Sequence, residues 1–232
     1  ERINRSFEEK LKSLGVEVLV NKHVSLVEQG INDRITVKTE SSDTYDFDHV
    51  ISTLHSGDSV KIAPSLNAEE AERHRSIKYL GVVCPLVLLR KPVSNYYVTN
   101  ITDTWPPFTG IIEMTALVDP KELNDLNLVY LPKYVEPDHE IFGKSKTEIR
   151  EYFLKPLFKM YPELSEDDIV HFSIASEKRV FALPVLHYSE ILPPVITSLK
   201  GYYIINSAQI VNSTLNVNET IRIAEKKLEE IL

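Results

Sequence analysis

Apolar residues open the chain at helical spacing, with Ile3, Phe7, Leu11 and Leu14 on one face. Gly15 provides the C-cap that ends this helix, and the apolar run 16–20 predicts a short strand of the kind buried in a parallel sheet. Residues 24–28 and 35–39 predict paired strands, with Gly30, Asn32 and Asp33 supplying turn chemistry between them. A second turn at 41–43 leads to Tyr45 and Phe47. Residues 48–53 predict one more short strand, followed by a loop over 54–58.

From about Ser59 the pattern changes. An acidic helix is predicted over 67–77, and the runs 79–89, 96–102, 110–117 and 126–131 are rich in Val, Ile, Tyr and Leu with Pro, Asn and Asp between them. They predict a mostly antiparallel sheet. Residues 146–160 predict a helix that contains Pro156, and 169–180 a strand that bends or carries a bulge. The end returns to the opening pattern: a short buried strand at 202–205, then a helix whose stripe is Val217, Ile221, Ala224, Leu228 and Ile231. Asn216 and Glu219 stand in the N-x-x-E relation of a capping box at its start.

Composition narrows the function classes. With 232 residues and 43% hydrophobic residues the chain can bury a sizeable core. A net charge of -8 with well-mixed signs argues against a nucleic-acid surface, which needs clustered Lys and Arg. One cysteine excludes an internal disulfide and leaves a reducing cytoplasm as the default compartment. The longest strongly apolar stretch, 80–89, falls far short of the roughly 20 residues of a transmembrane helix. A start at Glu1, almost directly in a helix, suggests a piece of a longer protein.

Three segments carry a family resemblance: Gly15-Val16-Glu17-Val18 followed by Asn21-Lys22-His23-Val24 and a β-meander; Asp48-His49-Val50-Ile51-Ser52-Thr53; and Gly201 to Ser207 followed by Ser213-Thr214-Leu215-Asn216 and the last helix. In order and spacing they resemble the flavin amine oxidoreductase superfamily, which includes monoamine oxidases, protoporphyrinogen oxidases, phytoene desaturases and UDP-galactopyranose mutases. The resemblance implies an α/β plus α+β architecture. Residues 1–58 and 201–232 would form a partial FAD-binding, Rossmann-like domain built from both termini, and 59–200 an inserted, mostly antiparallel β-sheet substrate domain carrying helices. It implies FAD contacts at Val24, Thr53, Ser207, Thr214 and Leu215, and hydride transfer from a small-molecule substrate to flavin. The dinucleotide fingerprint G-x-G-x-x-G occurs nowhere in the chain. The resemblance therefore implies an upstream N-terminal dinucleotide-binding segment as partner, and little activity without it. Asn206-Ser207 departs from the family's Gly-Asp, which leaves open a non-catalytic binding module on the same fold; a non-redox flavoenzyme such as a sugar mutase is a further alternative.

Other chemistry-bearing residues read as follows. Tyr97 and Tyr130 are candidates to line an apolar substrate pocket. Glu113 and Arg179 are charges inside apolar strands and so are site candidates, each with an exposed strand face as the plain alternative. Cys84 reads as buried packing, and His23, His49 and His55 as structural or solvent-facing. No metal-ligand spacing and no G-x-S-x-G elbow is present, so Ser207, Ser213 and Thr214 read as loop and cap residues in a hydrolase context.

Overall fold

The structure is a computed structural model that describes residues 2–211 and 214–231; Ser213 of the closing motif lies outside the described residues. In chain order the elements are α1 (Arg2–Ser13), β1 (Val24–Gln29), β2 (Ile35–Thr39), β3 (Thr44–Phe47), β4 (Val50–Ser52), α2 (Ser56–Lys61), α3 (Ala68–Arg75), β5 (Tyr79–Leu89), β6 (Val98–Asn100), β7 (Gly110–Glu113) and β8 (Asn127–Tyr130). They continue with β9 (Lys133–Val135), α4 (Lys146–Met160), β10 (Ile169–Ala182), α5 (Tyr188–Ile191), β11 (Tyr202–Ile204) and α6 (Val217–Leu228). The chain forms two compact units. The first comprises 1–76, 191–209 and 220–232, and the second 77–190 and 210–219.

In the first unit β1, β2 and β3 form an antiparallel sheet. The turn predicted at 41–43 is tied by Asp43, whose carboxylate accepts from Lys22 Nζ at 2.6 Å and from the Ser41 and Thr39 hydroxyls. Those donors, Lys22 foremost, hold its carboxyl down to about 2. Beside this sheet β4 and β11 form a two-stranded parallel ladder, Val50 opposite Tyr202 and Ser52 opposite Ile204. Val27, Ile35, Val60, Leu199, Tyr202 and Ile204 are the heart of one buried cluster. Asn67 caps α3 by accepting from Glu69 N, as helix-favouring residues behind an Asn predict.

Three expectations fail, in whole or in part, in this unit. The run 16–20 is not a strand, and its side chains are exposed, from 45% at Val16 to 72% at Val20. The helix before it, α1, forms where the periodicity places it and ends at Gly15, yet buries no residue. An apolar run makes a strand only when a neighbouring strand takes its backbone groups, and none among the described residues does so here. The loop predicted at 54–58 is partly helical, because Ser56 begins α2. The stripe predicted on α6 is only partly covered: Val217 and Ile221 are exposed, Ala224, Leu228 and Ile231 are half-buried, and Ile223 is the residue the helix buries.

The second unit is built on a six-stranded antiparallel sheet, ordered β10-β5-β8-β7-β6 with β9 also on β5. Strict alternation along β5 buries its odd-numbered residues against a core that includes Val129, Ile111, Phe153 and Leu157 of α4 and the strands. The even-numbered residues Leu80, Val82, Cys84, Leu86 and Leu88 are half-buried on the other face. Pro156 sits within α4 without ending it; the carbonyl it leaves without a donor is that of Tyr152, on the helix's exposed side. The irregularity expected in β10 is present as register shifts, one of them between Glu177 and Phe181. Gly81 makes room for it, since a Cβ there would stand 2.8 Å from the carbonyl oxygens of both Glu177 and Lys178. The strand predicted over 110–117 stops at Glu113, where a 3-10 turn begins.

Candidate functional site

The carboxyl ends of parallel strands are where open α/β sheets place ligands, because the chain turns away there and leaves polar backbone and first helical turns facing outward. In this chain that position is the end of the β4–β11 pair. The ladder begins at Gly201, whose carbonyl accepts from Val50 N at 2.8 Å. With φ of +85° and a would-be Cβ 2.8 Å from Asp48 O, position 201 admits only glycine without strain. The last ladder bond runs from Ile205 N to Ser52 O at 3.0 Å.

Beneath these ends lies a buried polar network. Tyr202, fully enclosed, donates its hydroxyl to Ser59 O at 2.9 Å, and burial pushes that phenol up. The Ser52 and Ser59 hydroxyls meet at 2.8 Å, and Ser59 Oγ also reaches Leu54 O. Each polar group therefore has a partner, as a low-dielectric interior requires. Above the ladder, Asn206 is the first residue past its end. The carboxamide donates from Nδ2 to Leu54 O at 2.8 Å and to Ser56 Oγ at 3.3 Å, while Oδ1 accepts from Ala208 N at 2.9 Å. Gln209 completes the turn, accepting from Asn206 N at 2.7 Å and donating to Ile204 O.

The expected cofactor residues distribute as follows. Thr53 and Ser207 stand at the neighbouring ends of β4 and β11, Thr53 exposed and Ser207 half-buried at the head of the 207–209 turn. Val24 opens β1 and is exposed. Thr214 and Leu215 precede α6, both exposed, in the segment 210–219 that counts with the second unit. One half of the predicted capping box is present, with Glu219 N donating to Asn216 Oδ1 at 3.0 Å.

The substrate-side candidates all lie in the second unit. Tyr130 opposes both Leu86 and Ile112 across the sheet, on the half-exposed apolar face. Tyr97 is exposed, and its carbonyl accepts from Glu113 N. Arg179 is half-buried within the irregular stretch of β10. Glu113 is buried on the core side and both its oxygens are engaged by backbone, Oε1 by Val93 N at 3.2 Å and Oε2 by Val93 N at 3.1 Å and Ser94 N at 2.7 Å. Burial raises its pKa while those amides pull it down, so its evident work is to hold the loop at 93–94. Cys84 is half-buried on the apolar face, and burial pushes its thiol up, away from a reactive thiolate.

Two features escaped the sequence reading. Asn206 was noted only as a departure from a motif, and nothing local signals that its partners lie about 150 residues earlier. His74 on α3 is fully buried with neither ring nitrogen hydrogen-bonded among the described residues. Among those residues no helix is long and apolar enough to cross a membrane.

Comparison with known proteins extends this picture. Among solved structures, a protein from Exiguobacterium sp. 255-15 provisionally described as a protoporphyrinogen oxidase superposes with a TM-score of 0.76 at 13% identity, over 98% of this chain and 50% of its own. An oxidoreductase from Methanosarcina mazei gives 0.73 at 15% identity, over 96% and 52%. Putrescine oxidase bound to putrescine gives 0.72 at 14%, over 95% and 50%. The chain thus spans about half the length of these proteins, and the likeness concerns fold. No curated protein matches the sequence. The family pattern of flavin containing amine oxidoreductases matches residues 1–180, well over half of the chain, and ends before the β11 segment. The chain belongs to the flavin containing amine oxidoreductase family.

Proposed function

We propose that this chain contributes part of an FAD site and the substrate-binding sheet of a flavin-dependent oxidoreductase. Residues 1–58 and 201–232 belong to the cofactor side and 59–200 to the substrate side. The observation that supports this most is the parallel pairing of β4 with β11, which brings two stretches far apart in sequence to one edge with their carboxyl ends fastened together.

The residues at that edge fit a flavin dinucleotide in part. Thr53, Ser207 and the backbone groups beside them are neutral donors and acceptors, suited to a ribityl chain and a flavin ring. None is a cation for the pyrophosphate, so that contact falls to an upstream strand and helix of the G-x-G-x-x-G kind. When bound, the flavin supplies the hydride-accepting centre. The chain's own part is to orient that ring from Thr53 and Ser207. Family resemblance assigns further flavin contacts to Thr214 and Leu215, ahead of α6, a helix whose N-terminus carries partial positive charge. On the substrate side, Tyr130 offers aromatic contact from a sheet face without charges along β5, Tyr97 an exposed ring ahead of β6, and Arg179 an edge cation. Glu113 we assign to loop positioning. A reducing cytoplasm is the compartment proposed, on the single cysteine.

The competing reading is a binding module that keeps the fold without flavin, and the absence of a carboxylate at 206 and 207 favours it. The discriminating experiment is an absorption spectrum of the protein carrying its upstream segment. Flavin bands at near one equivalent support the oxidoreductase, whereas a folded, colourless protein that takes up no added FAD overturns it in favour of the module.

A further inference from the structure

We infer that Asn206 is a positioning residue for the cofactor, a single carboxamide that sets the spacing between the two loops forming the floor of the site. This inference rests on the flavin reading above. Both donors of Nδ2 are directed to the 54–56 loop, and Oδ1 is directed to the 207–209 turn. Both ends of the carboxamide are therefore engaged, one with each loop.

The core does not need this residue. Tyr202, Ile204 and Ser52 complete the ladder and the buried network below it, and the final backbone bond, Ile205 N to Ser52 O, precedes Asn206. The hydrogen bonds of Asn206 begin where the ladder ends, and they connect segments that carry the exposed Thr53 and the half-buried Ser207. A ligand held by both segments experiences their separation directly, and a displacement of a few tenths of an ångström at a hydrogen-bonded site already weakens it. The requirement is also chemically narrow. A glycine lacks all three bonds, a carboxylate lacks both donors and would face the Leu54 carbonyl with negative charge, and a glutamine is one methylene too long.

That narrowness supplies the test, carried out on the full-length apoprotein by titrating FAD and following its fluorescence, with thermal midpoints measured in parallel. N206D at about pH 8 is expected to raise the Kd for FAD about tenfold while shifting the midpoint little. Lowering the pH toward about 4, the ordinary carboxylate range, protonates much of the new carboxyl, since the facing Leu54 carbonyl favours the neutral acid against the pull of the Ala208 amide. One oxygen then donates to Leu54 O and the other accepts from Ala208 N, so the variant's Kd approaches that of the wild type. N206A should bind weakly at both pH values. The inference is overturned if N206D and N206A bind FAD as the wild type does. It also falls if both lose affinity only in step with a falling midpoint, with no recovery of N206D in acid. A wild-type protein that takes up no FAD at either pH overturns the flavin reading itself, and this inference with it.

Discussion

Tyr202–Ile204 and the run 16–20 begin alike. Each follows a glycine with positive φ, Gly201 at +85° and Gly15 at +75°, and each reads from composition as a short buried strand. They end in opposite surroundings. The first pairs with β4, fills the core with Tyr202 and Ile204, and has the buried Tyr202 hydroxyl on Ser59 O. The second has exposed Val16, Val18, Leu19 and Val20 and no strand neighbour among the described residues. What separates them is the presence of a partner, since burial and backbone pairing are properties of two segments together. The exposed run and the apolar face of α1 form the surface on which an upstream segment, as proposed here, would have most to gain by packing.

Tyr202→Ala attacks the paired side of this contrast most directly. Truncating a fully buried aromatic should cost about 3–5 kcal/mol in urea denaturation, and a loss near that of a surface residue would mean that the ladder carries little of the unit's stability. Tyr202→Phe isolates the hydroxyl. It leaves the Ser59 carbonyl buried without its donor, at a cost of about 1–2 kcal/mol by the same measurement.

An intermediate case is His74, buried as Tyr202 is but unpartnered as 16–20 is. Its pKa is lowered by burial, with Glu70 acting the other way. The unfolded chain takes up a proton near the ordinary value of about 6.5, where the folded chain does not. Stability should therefore decline as pH falls below about 6.5, until the folded-state pKa is passed. His74→Leu should flatten the contribution of this residue, read as a smaller difference between unfolding midpoints at neutral and mildly acidic pH; an unchanged difference would show that other groups set the slope. The least effect is expected for Val18→Thr, within about 0.5 kcal/mol in the chain alone. A loss of several times that would show that 16–20 is buried after all.

Most local structure was legible because its signals are local. β5 and α4 lie where alternation and helical periodicity place them, and α3 starts behind Asn67. The parallel pair was legible only through family resemblance, since nothing within 50–52 or 202–204 specifies the register between them. The strand at 16–20 was misread and the stripe on α6 is covered only in part for one reason: periodicity marks a surface fit to be covered, without saying what covers it. β9, three residues behind Pro132, is too short to show a period. At the candidate site the sequence pointed to Thr53 and Ser207, which the structure places at adjoining strand ends. The role of Asn206 stayed hidden because its bonding partners, Leu54 and Ser56, belong to another part of the chain.

The same ladder imposes a schedule on biosynthesis. About 150 residues separate the two halves of the β4–β11 pair, whereas β5 through β10 follow one another in an unbroken stretch. Emerging from the ribosome, the sheet of the second unit has all its strands in hand before Tyr202 is made. Val50, Ile51 and Ser52 must wait for theirs, with a long loop to close and apolar surface exposed meanwhile. The segment at greatest risk of capture by a chaperone or by aggregation is thus the earlier half of the pair, and it becomes safe only once residues 202–204 have been made.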